Sequence, residues 1–200
     1  MARPRLITDE QILSTTRSTV LERGPGVSLD VVAERLGVTA PALLKRFGNR
    51  GELMLAALKP PDRPEWIDVF LKGPDARPIE TQLSEHFGRL WDYFEKTLPC
   101  ISALRESGIP HEKIFDQKKN GHVVAIKAIA AWVGQAQERG LVDAEAPESV
   151  AYSMLGALQI RAFTAHVAKV QFTARSNREY LDDLVHLFTR ALAPKAKKRP

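Results

Sequence analysis

Apolar residues recur at spacings of three and four along most of this chain, which is the signature of helices with one buried face. Thr8 precedes a first such segment with Asp9 and Glu10 in its opening turn and Ile12, Leu13, Val20 and Leu21 as apolar positions; Gly24-Pro25-Gly26 stops it. Ser28 begins a short segment carrying Leu29, Val32, Ala33 and Leu36, which ends at Gly37. Thr39 begins another, with Pro41 near its start and Leu43 and Phe47 inward. Asn49 and Glu52 have capping-box spacing ahead of Leu53, Met54, Ala57 and Leu58. After the proline-rich stretch from Pro60 to Pro64, Trp66 to Phe70 predicts a short helix. A long one follows from Ile79 to Leu98, with its stripe at Ile79, Leu83, Phe87, Leu90, Phe94 and Leu98. Pro99 reads as the start of the next segment. Pro110 begins another helix, whose apolar part from Val123 to Val133 covers more than one side and is therefore expected to be central. Pro147 to about Lys169 is helical and rich in small residues, and Ser176 or Asn177 starts a last helix with Leu181, Leu184, Val185, Phe188 and Leu192 inward. No strand and no repeat emerges. The class is all-α, a three-helix head on a larger helical body.

The stretch from Val27 to Leu58 carries the most information. Two short capped helices joined by a glycine turn describe a helix-turn-helix, whose second helix enters the major groove of DNA. Ala33 fits where the two helices cross, since a small residue permits close approach, and Gly37 and Val38 fit the turn. On this pattern Thr39 sits at a helix N-terminus, where its hydroxyl and backbone N–H suit a phosphate. Ala40, Pro41 and Ala42 are short enough for the helix to sit deep against thymine methyls, and Leu44 adds another apolar contact. Lys45 can reach a guanine edge, while Arg46 and Arg50 suit phosphates.

Gly37-Val38-Thr39 followed by Leu43, Phe47, Arg50, Glu52 and Leu53 resembles the DNA-binding domain of the TetR family of bacterial transcriptional regulators. The motif resemblance covers roughly the first 58 residues; beyond it, only length and helical layout correspond. The family usually has Tyr where this chain has Leu44, His where it has Arg46 and Lys where it has Arg50. The tyrosine hydroxyl that commonly holds a phosphate is thus replaced by an apolar group. The resemblance implies a homodimer formed by the last two helices, operator DNA as partner, and a small-molecule effector in a C-terminal ligand-binding and dimerisation domain. The expected organisation is a helix-turn-helix domain over residues 1–59, a ligand-binding and dimerisation domain over 60–193, and a basic tail over 194–200.

Charge supports that division. Residues 1–59 hold nine Lys/Arg against six Asp/Glu, residues 60–193 hold 16 against 18, and the last seven contain Lys195, Lys197, Lys198 and Arg199. Basic ends suit a polyanion, and a near-neutral middle suits another task. Arg3 and Arg5 lie in a short arm that either reaches phosphates or is a solvated terminus. Cys100 is the only cysteine, which rules out an internal disulfide. There is no apolar signal core at the start, and the longest charge-free run, Ser149 to Ile160, is 12 residues, too short to span a bilayer. A cytoplasmic protein without membrane contact is expected.

The sequence offers little for catalysis. His86, His111, His122, His166 and His186 include no pair at helical zinc-site spacing, and neither a glycine-rich phosphate loop nor a nucleophile elbow occurs. No cofactor, metal or catalytic residue is expected, and Lys118-Lys119 reads as a solvated face. Trp91, Phe94, Trp132 and Phe163, with polar His86, His122 and Gln159 set in largely apolar helices, are candidates for lining a ligand pocket between helices; ordinary core packing is the alternative. The expected function is a DNA-binding transcriptional repressor that releases its operator when an apolar or aromatic ligand binds. The competing expectations are a ligand-independent regulator or activator of the same fold, and a helical interaction protein or small enzyme that no longer binds DNA.

Overall fold

The computed structural model describes residues 7–115, 121–168, 170 and 174–194. The arm bearing Arg3 and Arg5, the Lys118-Lys119 pair and the lysines of the tail lie outside them. The described residues form ten helices: α1 (Asp9–Arg23), α2 (Leu29–Leu36), α3 (Ala40–Phe47), α4 (Arg50–Leu58), α5 (Trp66–Leu71), α6 (Ile79–Glu106), α7 (His111–Ile114), α8 (Gly121–Glu138), α9 (Pro147–His166) and α10 (Asn177–Ala191). Two compact units result. One holds α1–α4 together with the part of α6 from Lys96 onward and α7; the other holds α5, α6 up to Glu95, and α8–α10.

In the first unit, local signals place every early helix. The Thr8 hydroxyl accepts from the Gln11 backbone N–H and the Gln11 side chain accepts in return, a full capping box. Ser28, Thr39 and Asn49 cap α2, α3 and α4 through their own side chains. Two small cores hold these helices. Ile12, Val32, Ala33, Leu43 and Leu53 form one. Val20, Met54, Ala57 and Leu58 form the other with Cys100, Ala103 and Leu104 of α6 and Ile114 of α7. The head's core is therefore completed by residues that lie some 40 positions further along the chain.

α6 departs from the sequence reading. It runs unbroken through Pro99, where a helix end was expected. Proline inside a helix removes one hydrogen bond and costs about 3 kcal/mol or more. Leu98 and Leu104 are 7% and 0% exposed, and burying such side chains contributes roughly 1.5–3 kcal/mol each. Continuing the buried stripe offsets the lost bond. The helix expected from Pro110 onward is likewise divided: Pro110 precedes only the one-turn α7, which ends at extended Phe115, and the long apolar helix is described from Gly121.

In the second unit, α8 packs against both α5 and α9. Its buried face is Ala125, Ile126, Ala128, Ile129, Trp132, Val133 and Ala136, whereas Val123 and Val124 are 39% and 40% exposed. The apolar run is thus one-sided at its start rather than covered all round. Tyr180 of α10 donates its hydroxyl to the Ala157 carbonyl of α9 at 2.8 Å, with the Arg161 guanidinium 4.4 Å over its ring. No helix of the described residues is long and apolar enough to cross a membrane.

Candidate functional site

The head presents α3 on its outside. Gly37 ends α2 in the left-handed conformation, with φ of 66°, and its N–H returns to the carbonyls of Ala33 and Glu34. The Val38 N–H also bonds Ala33, at 3.0 Å, so the chain reverses within two residues and α3 starts at once. Leu43 is 1% exposed and anchors α3 to the core. Thr39, Pro41, Ala42, Lys45 and Arg46 are exposed around it, with Ala40 and Leu44 half-buried at its flanks. Lys45 has no hydrogen-bond or ion-pair partner among the described residues, so its ammonium is available to a partner from outside.

The two arginines are placed differently. The Arg46 guanidinium donates to the Ile7 carbonyl at 2.6 Å and meets Asp9 at 2.5 Å. It ties the start of α1 to α3. Arg50 is half-buried and donates to the carbonyls of Pro25 and Val27. Those acceptors lie in the turn between α1 and α2, so Arg50 braces the segment that aims α2 and α3. Arg17 and Arg35, which the sequence reading did not single out, do similar work. Arg17 donates to the Ala57 carbonyl of α4 at 2.6 Å, and Arg35 makes a bidentate pair with Glu22 at 2.8 and 2.9 Å. That pairing holds the Glu22 carboxyl below its ordinary range. The available signal was an arginine on each of two neighbouring helices, but the pairing itself is tertiary.

Residues 12–57 match the profile of the bacterial regulatory proteins of the tetR family. That segment is similar to the N-terminal domain of the TetR family. The fold agrees over nearly the whole length. A TetR transcriptional regulator from Streptomyces coelicolor is 21% identical with a TM-score of 0.59, covering 94% of this chain and 100% of that one. Reduced NemR from E. coli is 14% identical with a TM-score of 0.62, covering 95% and 100%. AibR, whose structure holds isovaleryl coenzyme A and operator DNA, is 17% identical with a TM-score of 0.56, covering 90% and 96%. No curated protein matches the chain. The architecture, a TetR helix-turn-helix head with a larger helical body, is that of these regulators.

The body contains the other candidate residues. His86 of α6 is 5% exposed and Trp132 of α8 is fully buried; their rings meet edge to face at 4.9 Å. Phe70 of α5 stacks on His86 at 4.3 Å and stands edge-on to Trp132 at 6.0 Å. Trp66, one turn before Phe70, meets both Phe70 and Tyr93. Burial pushes the His86 imidazole down to about 4, the opposing charges of Glu85 and Arg89 counting less. Both ring nitrogens of His86 and the indole nitrogens of Trp66 and Trp132 are buried without a hydrogen-bond partner among the described residues. Each such group costs roughly 1–3 kcal/mol. Gln82, one turn before His86, is the contrast. Its amide donates to the carbonyls of Asp75 and Arg77 at 3.2 and 2.7 Å and accepts from the Asp75 N–H at 2.9 Å.

The remaining pocket candidates scatter. Trp91 and Phe94 are buried at 7% and 6% exposure, the latter against Tyr93. Gln159 is half-buried on α9, His122 is exposed at the start of α8, and Phe163 is 41% exposed on α9. The structure brings His86 and Trp132 together and leaves His122 and Phe163 on the outside. Trp66 and Phe70, which complete the cluster, were legible only as the apolar face of a short helix.

Proposed function

We propose that the chain is a homodimeric, ligand-released transcriptional repressor rather than an enzyme, reading operator DNA with α3. The observation that carries this is the outward face of α3, where Thr39, Pro41, Ala42 and Lys45, the last unpartnered among the described residues, surround a helix anchored by buried Leu43. Short residues let the helix enter a major groove, and Lys45 reaches a base edge. Ala40 and Leu44 add apolar contact at the flanks, and Thr39 takes a phosphate at the helix N-terminus. Arg46 reaches phosphates from the rim, whereas Arg50 acts mainly as a brace.

One α3 reads too few bases for specificity, and two-fold pairing sets two of them about 34–36 Å apart in successive major grooves. α9 supplies a fitting surface. Tyr152, Ile160 and Phe163 are 55%, 57% and 41% exposed along one side of it, and Gly156 lies between them. Leu187 of α10 is 59% exposed. Apolar side chains this open suit a second copy of the chain. Control by a small molecule is supported by the unpartnered polar groups in the body and by AibR, which was solved with both an acyl-coenzyme A and operator DNA. A ligand acts by binding the DNA-incompetent state more tightly, and a hundredfold loss of operator affinity needs about 2.7 kcal/mol of such preference.

Selection of binding sites from random DNA, followed by a mobility-shift assay on the enriched sequence, tests the reading. A two-fold-symmetric site bound by two chains is expected. Failure to enrich any sequence would favour a helical protein that no longer binds DNA; an enriched site whose occupancy raises transcription would favour an activator.

A further inference from the structure

We infer that Trp66, His86 and Trp132 form the polar recognition point for an uncharged, oxygen-bearing aromatic molecule, with Phe70 and Tyr93 against its apolar body. This rests on the proposal that the body binds an effector, and adds which groups recognise it and what chemistry they select.

Three side chains from three helices each meet the Phe70 ring, and none of their polar atoms has a partner among the described residues. Indole nitrogen only donates, and a neutral imidazole donates once and accepts once. The cluster therefore offers three donors and one acceptor. Such a set selects oxygen acceptors, above all a carbonyl. A cation would face N–H groups. A carboxylate would enter a buried site whose nearby cations are already committed: Arg77 to Asp75 and Glu85, and Arg89 to Glu85. Dehydrating an anion without a counter-charge is unfavourable. Burial keeps His86 neutral, so it supplies no positive charge of its own. Flat rings on several sides favour a planar aromatic body.

The chain has three tryptophans, Trp66, Trp91 and Trp132, so its indole N–H signals form a set of three in a nitrogen–proton correlation spectrum. The full-length protein is titrated with 2-acetylnaphthalene and, separately, with 2-isopropylnaphthalene, which has the same shape without the carbonyl, and with 2-naphthoate. Trp→Phe variants assign the three signals. The ketone is expected to move the Trp66 and Trp132 signals downfield while leaving Trp91 nearly in place, and to bind about tenfold more tightly than the hydrocarbon, as one or two hydrogen bonds would give. His86→Leu should narrow that advantage without abolishing it, since the two indole donors remain. Equal binding of ketone and hydrocarbon, tighter binding of naphthoate, or unmoved Trp66 and Trp132 signals with all three would overturn the assignment. Operator release is measured in parallel against a broad compound library. A compound that frees the operator without moving those signals refutes this site but leaves ligand control standing. A library with no effect on operator affinity refutes ligand control itself.

Discussion

The head and the body differ in how they partner their polar side chains, Gln82 of the body apart. In the head, caps and carbonyls absorb them: Thr8, Ser28, Thr39 and Asn49 each satisfy a first-turn N–H, and Arg17 and Arg50 spend their guanidinium groups on backbone carbonyls. Thr16 is the exception there. In the body, two tryptophans and a histidine share one aromatic cluster with no bonds made. Satisfied groups fix a shape, which suits a surface that must match a groove. Unsatisfied groups destabilise the empty protein and leave it something to gain from a ligand. On the proposed function, the two regions would divide rigidity and responsiveness between them.

Breaking the body's cluster by size should give the largest effect. Trp132→Ala opens a cavity at a fully buried site and is expected to cost about 3–5 kcal/mol, seen as a lower denaturant midpoint. Trp132→Phe keeps most of the packing and removes the unpaired N–H, so its cost should be far smaller. If Trp132→Phe costs more than its small loss of ring volume explains, the indole nitrogen has a partner and the contrast between the regions fails.

Acid sharpens the same contrast. His86 titrates near 4 in the folded chain against about 6.5 when unfolded, so between those values the unfolded state holds more protons. Stability is complete above about pH 6.5, falls as pH drops toward 4, and the histidine's share of that loss is about 3 kcal/mol. Urea titrations from pH 7.5 to 4 should show this loss in the wild type and a shallower one in His86→Leu. An identical pH profile for the two proteins would mean that His86 is not held neutral by burial.

In the head, Arg50→Ala leaves the carbonyls of Pro25 and Val27 without their donor and should cost roughly 1.5–3 kcal/mol of stability. Its operator affinity should fall while the salt dependence stays near that of the wild type, because no phosphate contact is lost. A flatter salt slope would instead mark Arg50 as a phosphate ligand and return it to the role its sequence position suggested.

How much was legible follows from the range of the forces involved. Ser28, Gly37, Thr39 and Asn49 act within four residues of themselves, so the head's helices and their boundaries could be read directly. Pro99 could not, because its local preference for ending a helix is overridden by burial of Leu98 and Leu104. Nor does any short stretch announce that Cys100, Ala103 and Leu104 pack against Val20 and Met54. His86 and Trp132 were visible as odd residues in apolar helices, but their meeting with Trp66 and Phe70 depends on how α5, α6 and α8 pack. Arg46 and Arg50 had the right charge at the right spacing, yet their bonds to Ile7, Pro25 and Val27 lie 23 to 39 residues away.

The central claim is that α3 reads sequence, with Lys45 at a base edge. Fluorescence anisotropy of wild type and Lys45→Ala on the selected site and on a site mismatched at the contacted base tests it most directly. The account predicts that Lys45→Ala narrows the gap between the two sites by roughly 1–3 kcal/mol while the mismatched site is bound nearly as before. Equal losses on both sites would contradict it and reduce Lys45 to a phosphate contact.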